Sequence, residues 1–169
     1  MHSRKTPVVS FYANIMAFDG YYEKKWFPYT MPISDIYGLR QAFDNIKNNP
    51  YMLERHAKIG NAVRAAVKEA GLELYQETGF SNTVTVFNVP EGTTDTAILT
   101  AMKEKCNIMT AGPFGAFAGK VIRIGHMGEN SYPEKVGAVM AGLDLVFKDL
   151  GITLKCSLKE AYDRKMSEQ

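Results

Sequence analysis

The stretch Lys120-Val-Ile-Arg-Ile-Gly125 is the clearest strand in the amino-acid sequence, and it decides the fold. Its run of β-branched residues favours an extended backbone. Successive side chains of a strand point to opposite faces, so Ile122 and Ile124 share one face while Val121 and Arg123 share the other. The pattern predicts a sheet with one face against helices and with Arg123 on the face turned away from them.

Apolar residues spaced three and four apart predict helices before this strand, and β-branched runs predict shorter strands between them. The helices are expected from Ser34, the predicted N-cap, from Pro50 to a stop at Gly71, and from Thr93 or Thr94 to Cys106. The strands are expected at 72–75, 83–89 and 107–110. Helices with one apolar face each then cover one side of the sheet.

The spacing of Ser131 and Glu134 predicts a capping box that opens a last helix, with Pro133 in its first turn and a stop at Gly151. The charged residues that follow have only weak periodicity, which fits either a frayed helix or a mobile tail. The fold class is therefore α+β, with a small, mainly antiparallel sheet covered on one face by helices. We expect three parts: an extended N-terminal arm over 1–33, a domain over 34–151 and a charged tail over 152–169.

The N-terminal arm is unusually aromatic. Eight of the 19 aromatic residues of the chain fall within positions 11–29. Aromatic side chains carry large apolar area and are seldom left in water together, so this arm is expected to pack on something larger than itself. A local aromatic mini-core is the alternative.

Composition and charge exclude several classes of protein. With 169 residues, 46% of them hydrophobic, the chain suits one ordinary folded domain and not a disordered protein. A formal net charge of +2 supplies no basic field for nucleic acid or an anionic membrane. Cys106 and Cys156 lack a paired spacing, so neither a disulfide framework nor a thiolate metal site is expected. Without a visible signal peptide or spanning segment, we expect a soluble, cytoplasmic protein.

Arg123 has two interpretations from pattern alone. A guanidinium on a rigid strand, flanked by Gly119 and Gly125, suits bidentate capture of a carboxylate. An ordinary surface ion pair is the alternative. The preceding loop, from Gly112 to Lys120, lacks the glycine and the Ser or Thr that a phosphate-binding loop requires, and it is interpreted as a flexible or closely packed connector.

The histidines His2, His56 and His126 share no metal-ligand spacing with one another or with a cysteine, so no metal site is expected. His56 lies on a helical stripe and is interpreted as a packed, hydrogen-bonded histidine. His126 follows the strand of Arg123 directly, where it serves either a functional role or a turn. No nucleophile–histidine grouping has a local signature, and no catalytic residue is assigned.

The segment Lys120-Val-Ile-Arg-Ile-Gly-His-Met-Gly128, between a glycine-rich loop and a capped helix, resembles the C-terminal domain of class V pyridoxal-phosphate aminotransferases. The resemblance is to the alanine-glyoxylate and serine-pyruvate group. Matching segments follow one another in the same order along the chain. They lie at 3–6 with 11–12, at 27–34 with 37–40, and at 81–85. Together they imply the fold of the C-terminal domain of fold-type I enzymes over residues 3–151.

The resemblance implies roles for particular residues. Arg123 matches the arginine that binds the substrate α-carboxylate. Thr30 matches a threonine that holds the cofactor phosphate across a dimer interface. Tyr29 is a second candidate for that phosphate, because Phe27 occupies the position where some family members have a phosphate-binding tyrosine. The implied cofactor is pyridoxal 5'-phosphate.

The lysine that forms the Schiff base in this family belongs to an N-terminal large domain, and neither Lys5 nor Lys120 matches it. The resemblance therefore implies the C-terminal half of an aminotransferase, as a fragment, a truncated chain or one product of a split gene. The expected partners are the lysine-bearing half and further copies of this chain, and the chain alone is expected to be inactive. The expected substrates are a small amino acid, such as alanine or serine, and a small 2-oxo acid, such as glyoxylate or pyruvate. The alternative is a non-catalytic α+β module for binding or assembly.

Overall fold

The structure is a computed structural model that describes residue 3 and residues 5–168, and it divides into two units between Asn49 and Pro50. This division corrects the expected boundary after residue 33, because the first long helix belongs to the first unit. The physical reason is the break at 48–50. Pro50 has no backbone N–H to donate, so one helix ends before it and the next begins after it.

The first unit holds a short helix α1 at Tyr21–Lys24 and a long helix α2 at Ile33–Lys47. Ser34 was the expected N-cap of α2, and that expectation is wrong. The helix begins at Ile33, two residues earlier than a cap at Ser34 would place it, because Pro32 occupies the cap position and its carbonyl accepts from the backbone N–H of Ile36 at 3.0 Å. Ser34 is therefore already helical.

An aromatic cluster precedes α2. The ring of Tyr29 meets Phe11, Phe18 and Phe27 edge-on and stacks on Tyr12 with centroids 5.3 Å apart. The aromatic mini-core, one of the two interpretations of this arm, is therefore present. Such pairs stabilise by about 0.5–1.5 kcal/mol beyond the area that they bury.

Helix α2 carries the predicted apolar stripe, yet none of its residues is buried. Leu39 and Phe43 are 60% and 64% exposed. Ile36 and Ile46, on the same stripe, are also exposed. A helix in water gains most of its stability from packing such a face, so α2 presents an apolar surface without a packed counterpart among the described residues.

The second unit is built around an antiparallel strand pair. Strand β1 (Val84–Asn88) pairs with β2 (Val121–Gly125) in a register that sets Val86 opposite Arg123. Phe87, Ile122 and Ile124 point to one face and are buried in the core. The predicted alternation along β2 is confirmed.

Helices of the second unit share one hydrophobic core with this strand pair. They are α3 (Met52–Glu69), α4 (Asp95–Cys106), α5 (Pro133–Asp149) and α6 (Leu158–Ser167). Gly71 and Gly151 end α3 and α5 in left-handed conformations, with φ of 86° and 74°, as predicted. The hydroxyl of Thr94 caps α4 by accepting from the backbone N–H of Ala97 at 3.2 Å. The α+β fold class is confirmed.

The strand predicted at 72–75 is reduced to a single bridge. The strand predicted at 107–110 is not formed, and the residue directly after it makes a single bridge instead. Leu74 pairs with Phe87, and Ala111 pairs with Arg123. The second segment is short because Asn107, at φ 53°, still closes α4, and the Gly-Pro pair at 112–113 follows at once. These bridges flank the strand pair on its two edges and leave Arg123 in contact with a third segment.

Residues 152–169 do not form the expected charged tail over the part that the structure describes. Ser157 caps α6 by accepting from the backbone N–H of Glu160, and the carboxylate of Asp144 accepts from the Ser157 hydroxyl at 2.7 Å. Leu158 and Tyr162 are then buried, and α6 packs against α3 and α5. Three apolar positions in a charged segment were enough to anchor a helix.

The capping box predicted at Ser131 is also not formed. The cap position of α5 belongs to Tyr132, and Pro133 is the first helical residue. The hydroxyl of Ser131 is buried without a hydrogen-bond partner among the described residues. Within residues 3 and 5–168, we find no helix that combines the length and apolar character needed to cross a membrane.

Because α6 belongs to the core, Leu158→Ala should lower the free energy of unfolding by about 2–5 kcal/mol. Urea unfolding monitored by circular dichroism measures this change. Lys165→Ala, which removes from the same helix an ion pair with the exposed Glu168, should change it by no more than about 1 kcal/mol. Equal stability of Leu158→Ala and the unmutated chain would restore the interpretation as a tail.

Candidate functional site

Arg123 lies on the sheet face that is turned away from the helices. Its backbone N–H donates to the carbonyl of Ala111 at 2.9 Å, while Val86 lies opposite on β1. The neighbours Ile122 and Ile124 are buried on the helix side, and Arg123 is half-buried. Pairing on both sides therefore holds the Cα of Arg123 in a fixed place and directs its side chain to the open face.

The guanidinium of Arg123 is oriented by a backbone carbonyl and not by a carboxylate. Its Nη2 donates to the carbonyl oxygen of Gly112 at 2.7 Å. Its Nε is buried and has no acceptor among the described residues. The ion pairs within this part of the chain leave Arg123 out, so the surface ion pair considered above is not formed there. The cation is positioned and keeps its charge available for an anion.

The loop from Gly112 to Gly119 borders this guanidinium. The ring centroid of Phe114 lies 5.7 Å from the Arg123 Cζ, and Phe114 is 85% exposed. The backbone N–H of Gly119, at φ 81°, donates to the carboxylate of Asp95 at 3.1 Å. Asp95 in the first turn of α4 thus holds one end of the loop, and Arg123 holds the other end. The sequence predicted a connector at this position but neither of these contacts.

Thr30 and Tyr29 lie in the first unit, which is described separately from the unit of Arg123. Thr30 is exposed in the segment directly before α2, as its expected role requires. The Tyr29 hydroxyl donates to the carbonyl of Phe11 at 2.7 Å. A phosphate needs a donor, and the Tyr29 proton is already engaged, so the arrangement favours Thr30 over Tyr29 as a phosphate ligand.

His126, whose role the sequence left open, is fully buried. Its Nδ1 lies 3.1 Å from the carbonyl oxygen of Asn82, and its Nε2 lies 2.9 Å from the Thr85 hydroxyl. A carbonyl only accepts, so Nδ1 carries the proton and Nε2 accepts from Thr85. Burial lowers the pKa of His126 from 6.5 to about 4; the hydrogen bond to the Asn82 carbonyl opposes this shift, and the positive charge of Arg64 adds to it.

Side chains of α3 hold the loop that follows His126. The His56 Nδ1 donates to the Met52 carbonyl, and its Nε2 accepts from the backbone N–H of Gly128 at 3.1 Å. Arg55 donates from Nε to the Ser131 carbonyl at 2.6 Å. The interpretation of His56 as a packed, hydrogen-bonded residue is confirmed. Sequence reasoning missed Arg55, for which the helical pattern carries no signal.

Comparison with known proteins places these residues in a family. The chain is 38% identical over 154 residues to an aminotransferase of Methanocaldococcus jannaschii, and 35% identical over 130 residues to the serine–glyoxylate aminotransferase of Arabidopsis thaliana. The crystal structure of ureidoglycine–glyoxylate aminotransferase from Bacillus subtilis superposes with a TM-score of 0.89 at 25% identity over 99% of this chain. The chain belongs to the class V aminotransferases, as these homologues do.

The match to class V aminotransferases is partial in length. Those alignments cover 87% and 75% of this chain but only 39% and 32% of the two curated relatives. For the Bacillus subtilis structure the share is 44% of that chain. No protein-family model matches the sequence. The chain therefore spans well under half of the class V aminotransferases that it resembles, in keeping with a C-terminal domain.

Because the pKa of His126 is lower in the folded chain than its ordinary value, stability should fall in acid. The unfolded chain takes up a proton near pH 6.5, whereas the folded chain resists it until about pH 4. The stabilisation is present above pH 6.5 and lost progressively towards pH 4, by about 2 kcal/mol between pH 7.5 and pH 5. Urea unfolding at the two pH values measures this loss.

His126→Phe is the control for that measurement. The variant lacks the titrating ring, so its free energy of unfolding should lose the part of the pH dependence that His126 contributes. An unchanged pH dependence would assign the acid sensitivity to another group.

Proposed function

We propose that this chain is the C-terminal half of a class V aminotransferase that moves an amino group between a small amino acid and a small 2-oxo acid. Its own contribution is Arg123, which binds the substrate α-carboxylate. The observation that carries the proposal is a guanidinium fixed on a paired strand, oriented by the Gly112 carbonyl and without a carboxylate partner among the described residues. Glyoxylate, a small 2-oxo acid, appears in the names of two relatives.

The geometry suits a carboxylate better than other anions of the same charge. A guanidinium is planar and presents parallel N–H groups, which match the two oxygens of a carboxylate. The carbonyl of Gly112 occupies one N–H of Arg123 and sets the plane of the fork. The exposed ring of Phe114 forms an apolar wall beside it, which lowers the local dielectric and strengthens an ion pair formed there.

The cofactor of such an enzyme is pyridoxal 5'-phosphate, which acts as the electron sink for the substrate carbon that loses a proton. On this chain, Thr30 is the residue that fits its phosphate, because its hydroxyl is exposed on a segment fixed between the aromatic cluster and α2. Tyr29 fits it less well, since its hydroxyl proton is engaged by Phe11. A lysine for the cofactor is the contribution of the missing half.

The lysine-bearing half is the partner that we propose for the first unit. The stripe of α2 and the rings of Tyr22 and Trp26 are exposed, as are Phe11 and Tyr12 of the aromatic cluster. Exposed apolar area of this kind is typical of an interaction surface. An additional copy of this chain is expected in the assembly, because the Thr30 position of the family acts across a dimer interface.

Arg123→Lys tests the carboxylate site on the chain as it stands. Pyruvate is titrated while the backbone resonances of residue 123 and its neighbours are followed by NMR. Lysine keeps the charge but loses the fork, so the dissociation constant should rise about ten- to hundredfold, equivalent to about 1.5–3 kcal/mol. Arg164→Lys, at a surface pair with Glu69, should leave it unchanged.

If Arg123→Lys binds pyruvate as tightly as the unmutated chain, Arg123 is not the carboxylate ligand. If Arg164→Lys weakens binding equally, the loss does not depend on the position of Arg123, and the site assignment fails.

The chain alone should form no covalent adduct with pyridoxal phosphate at one defined lysine. The protein is incubated with the cofactor, reduced with borohydride and digested, and the modified lysines are located by mass spectrometry. Scattered, substoichiometric labelling is expected, with stoichiometric labelling and turnover only after a lysine-bearing half is added. Stoichiometric labelling at a single lysine here, together with amino-donor turnover, would contradict the half-enzyme proposal.

A further inference from the structure

The strand pair that carries Arg123 is short, and its hydrophobic pattern leaves one ambiguity. A slip of one residue between β1 and β2 would send Arg123 towards the helices and expose Ile122 and Ile124, so burial excludes it. A slip of two residues keeps every side chain on its own face. It would nonetheless move Arg123 by about 7 Å along β1. Something other than alternation must exclude this second register.

The buried face contains one polar pair that distinguishes the two registers. Thr85 of β1 lies opposite Ile124 of β2. The Thr85 hydroxyl donates to the His126 Nε2 at 2.9 Å. The His126 backbone N–H also donates to the Thr83 carbonyl at 2.9 Å, which extends the ladder beyond the end of β2. A slip of two residues would set His126 opposite either Ser81 or Thr85. The first slip leaves the Thr85 hydroxyl facing Ile122, and the second carries the His126 ring away from the Asn82 carbonyl.

The cost of breaking this pair is set by burial. His126 and Thr85 are both almost completely inaccessible to water. The remaining ring nitrogen of His126 is fixed by the Asn82 carbonyl, just before β1 begins, so the ring cannot turn to find another partner. Leaving a buried donor or acceptor unpaired costs about 1–3 kcal/mol for each group. The pair therefore favours the observed register over the slipped one.

From these contacts we infer that His126 is a positioning residue for Arg123: its bonds to Thr85 and to the Asn82 carbonyl lock the β1–β2 register that sets Arg123 opposite Val86. The inference rests on the proposed function only in what Arg123 binds. The lock itself is a statement about the strand pair. His126 acts through the backbone, and it touches neither substrate nor cofactor in this role.

The test uses Thr85→Val in the full chain, a nearly isosteric change that removes only the hydroxyl. Cross-strand NOEs between Val86 and Arg123 report the register directly. We expect a second set of resonances for β1 and β2, weakened Val86–Arg123 NOEs and faster amide exchange in the strand pair. If the competent register falls to about a fifth of the population, the apparent dissociation constant for pyruvate rises about fivefold.

Rescue and control variants separate positioning from simple stabilisation. Thr85→Ser restores the hydroxyl and should restore one set of resonances. Ser157→Ala removes the cap of α6, so it should lower the melting temperature while leaving the Val86–Arg123 NOEs and pyruvate affinity unchanged. If Thr85→Val does not fold, His126→Phe, which keeps an aromatic ring but removes both ring nitrogens, replaces it. A single, unshifted register in the folded variant would overturn the inference, however much its stability has dropped.

The two proposals fail in different ways. If the unmutated chain does not bind pyruvate but Thr85→Val shows two registers, the carboxylate role of Arg123 fails and the register lock stands. If pyruvate binds through Arg123 and the register is indifferent to Thr85 and His126, the lock fails and the carboxylate site stands.

Discussion

The antiparallel pairing of β1 with β2 is the constraint on which the second unit depends. It places Phe87, Ile122 and Ile124 against the helices and leaves Arg123 on the opposite face. A two-stranded ribbon is marginal by itself in water, so the helices must cover its apolar face for the pairing to persist. The core and the open face of Arg123 are thus two consequences of one register.

The helices are in turn joined to the strand pair by polar contacts at the ends of β2. At the far end, His126 contacts β1, while His56 and Arg55 bind the backbone of the following loop from α3. At the near end, Asp95 of α4 binds Gly119. A binding group is more precisely placed on a strand held at both ends than on a free loop, and Arg123 occupies such a place.

The sequence predicted the elements with strong periodicity and failed where tertiary contacts decide. Alternation along β2 gave the side of Arg123 correctly, and Gly71 and Gly151 marked helix ends because few other residues tolerate a left-handed conformation. Leu158 and Tyr162 were missed because their segment is charged and short, and α3 and α5 supply the apolar surface that stabilises it. At the site, the Arg123 side chain was predictable, but its contact with Gly112 depends on a loop conformation that no local pattern encodes.

The two units differ in how much of their apolar surface is buried, and this difference bears on function. The second unit buries a large hydrophobic cluster, whereas α2 in the first unit buries no residue. An apolar stripe on a helix is costly to leave in water, so the exposed face of α2 is the surface on which the proposed partner half would pack. The relatives are more than twice as long as their match to this chain. Under the proposed function, the two halves divide the work: Arg123 is positioned by the core of the second unit, while Thr30 directly precedes the helix that the partner would cover.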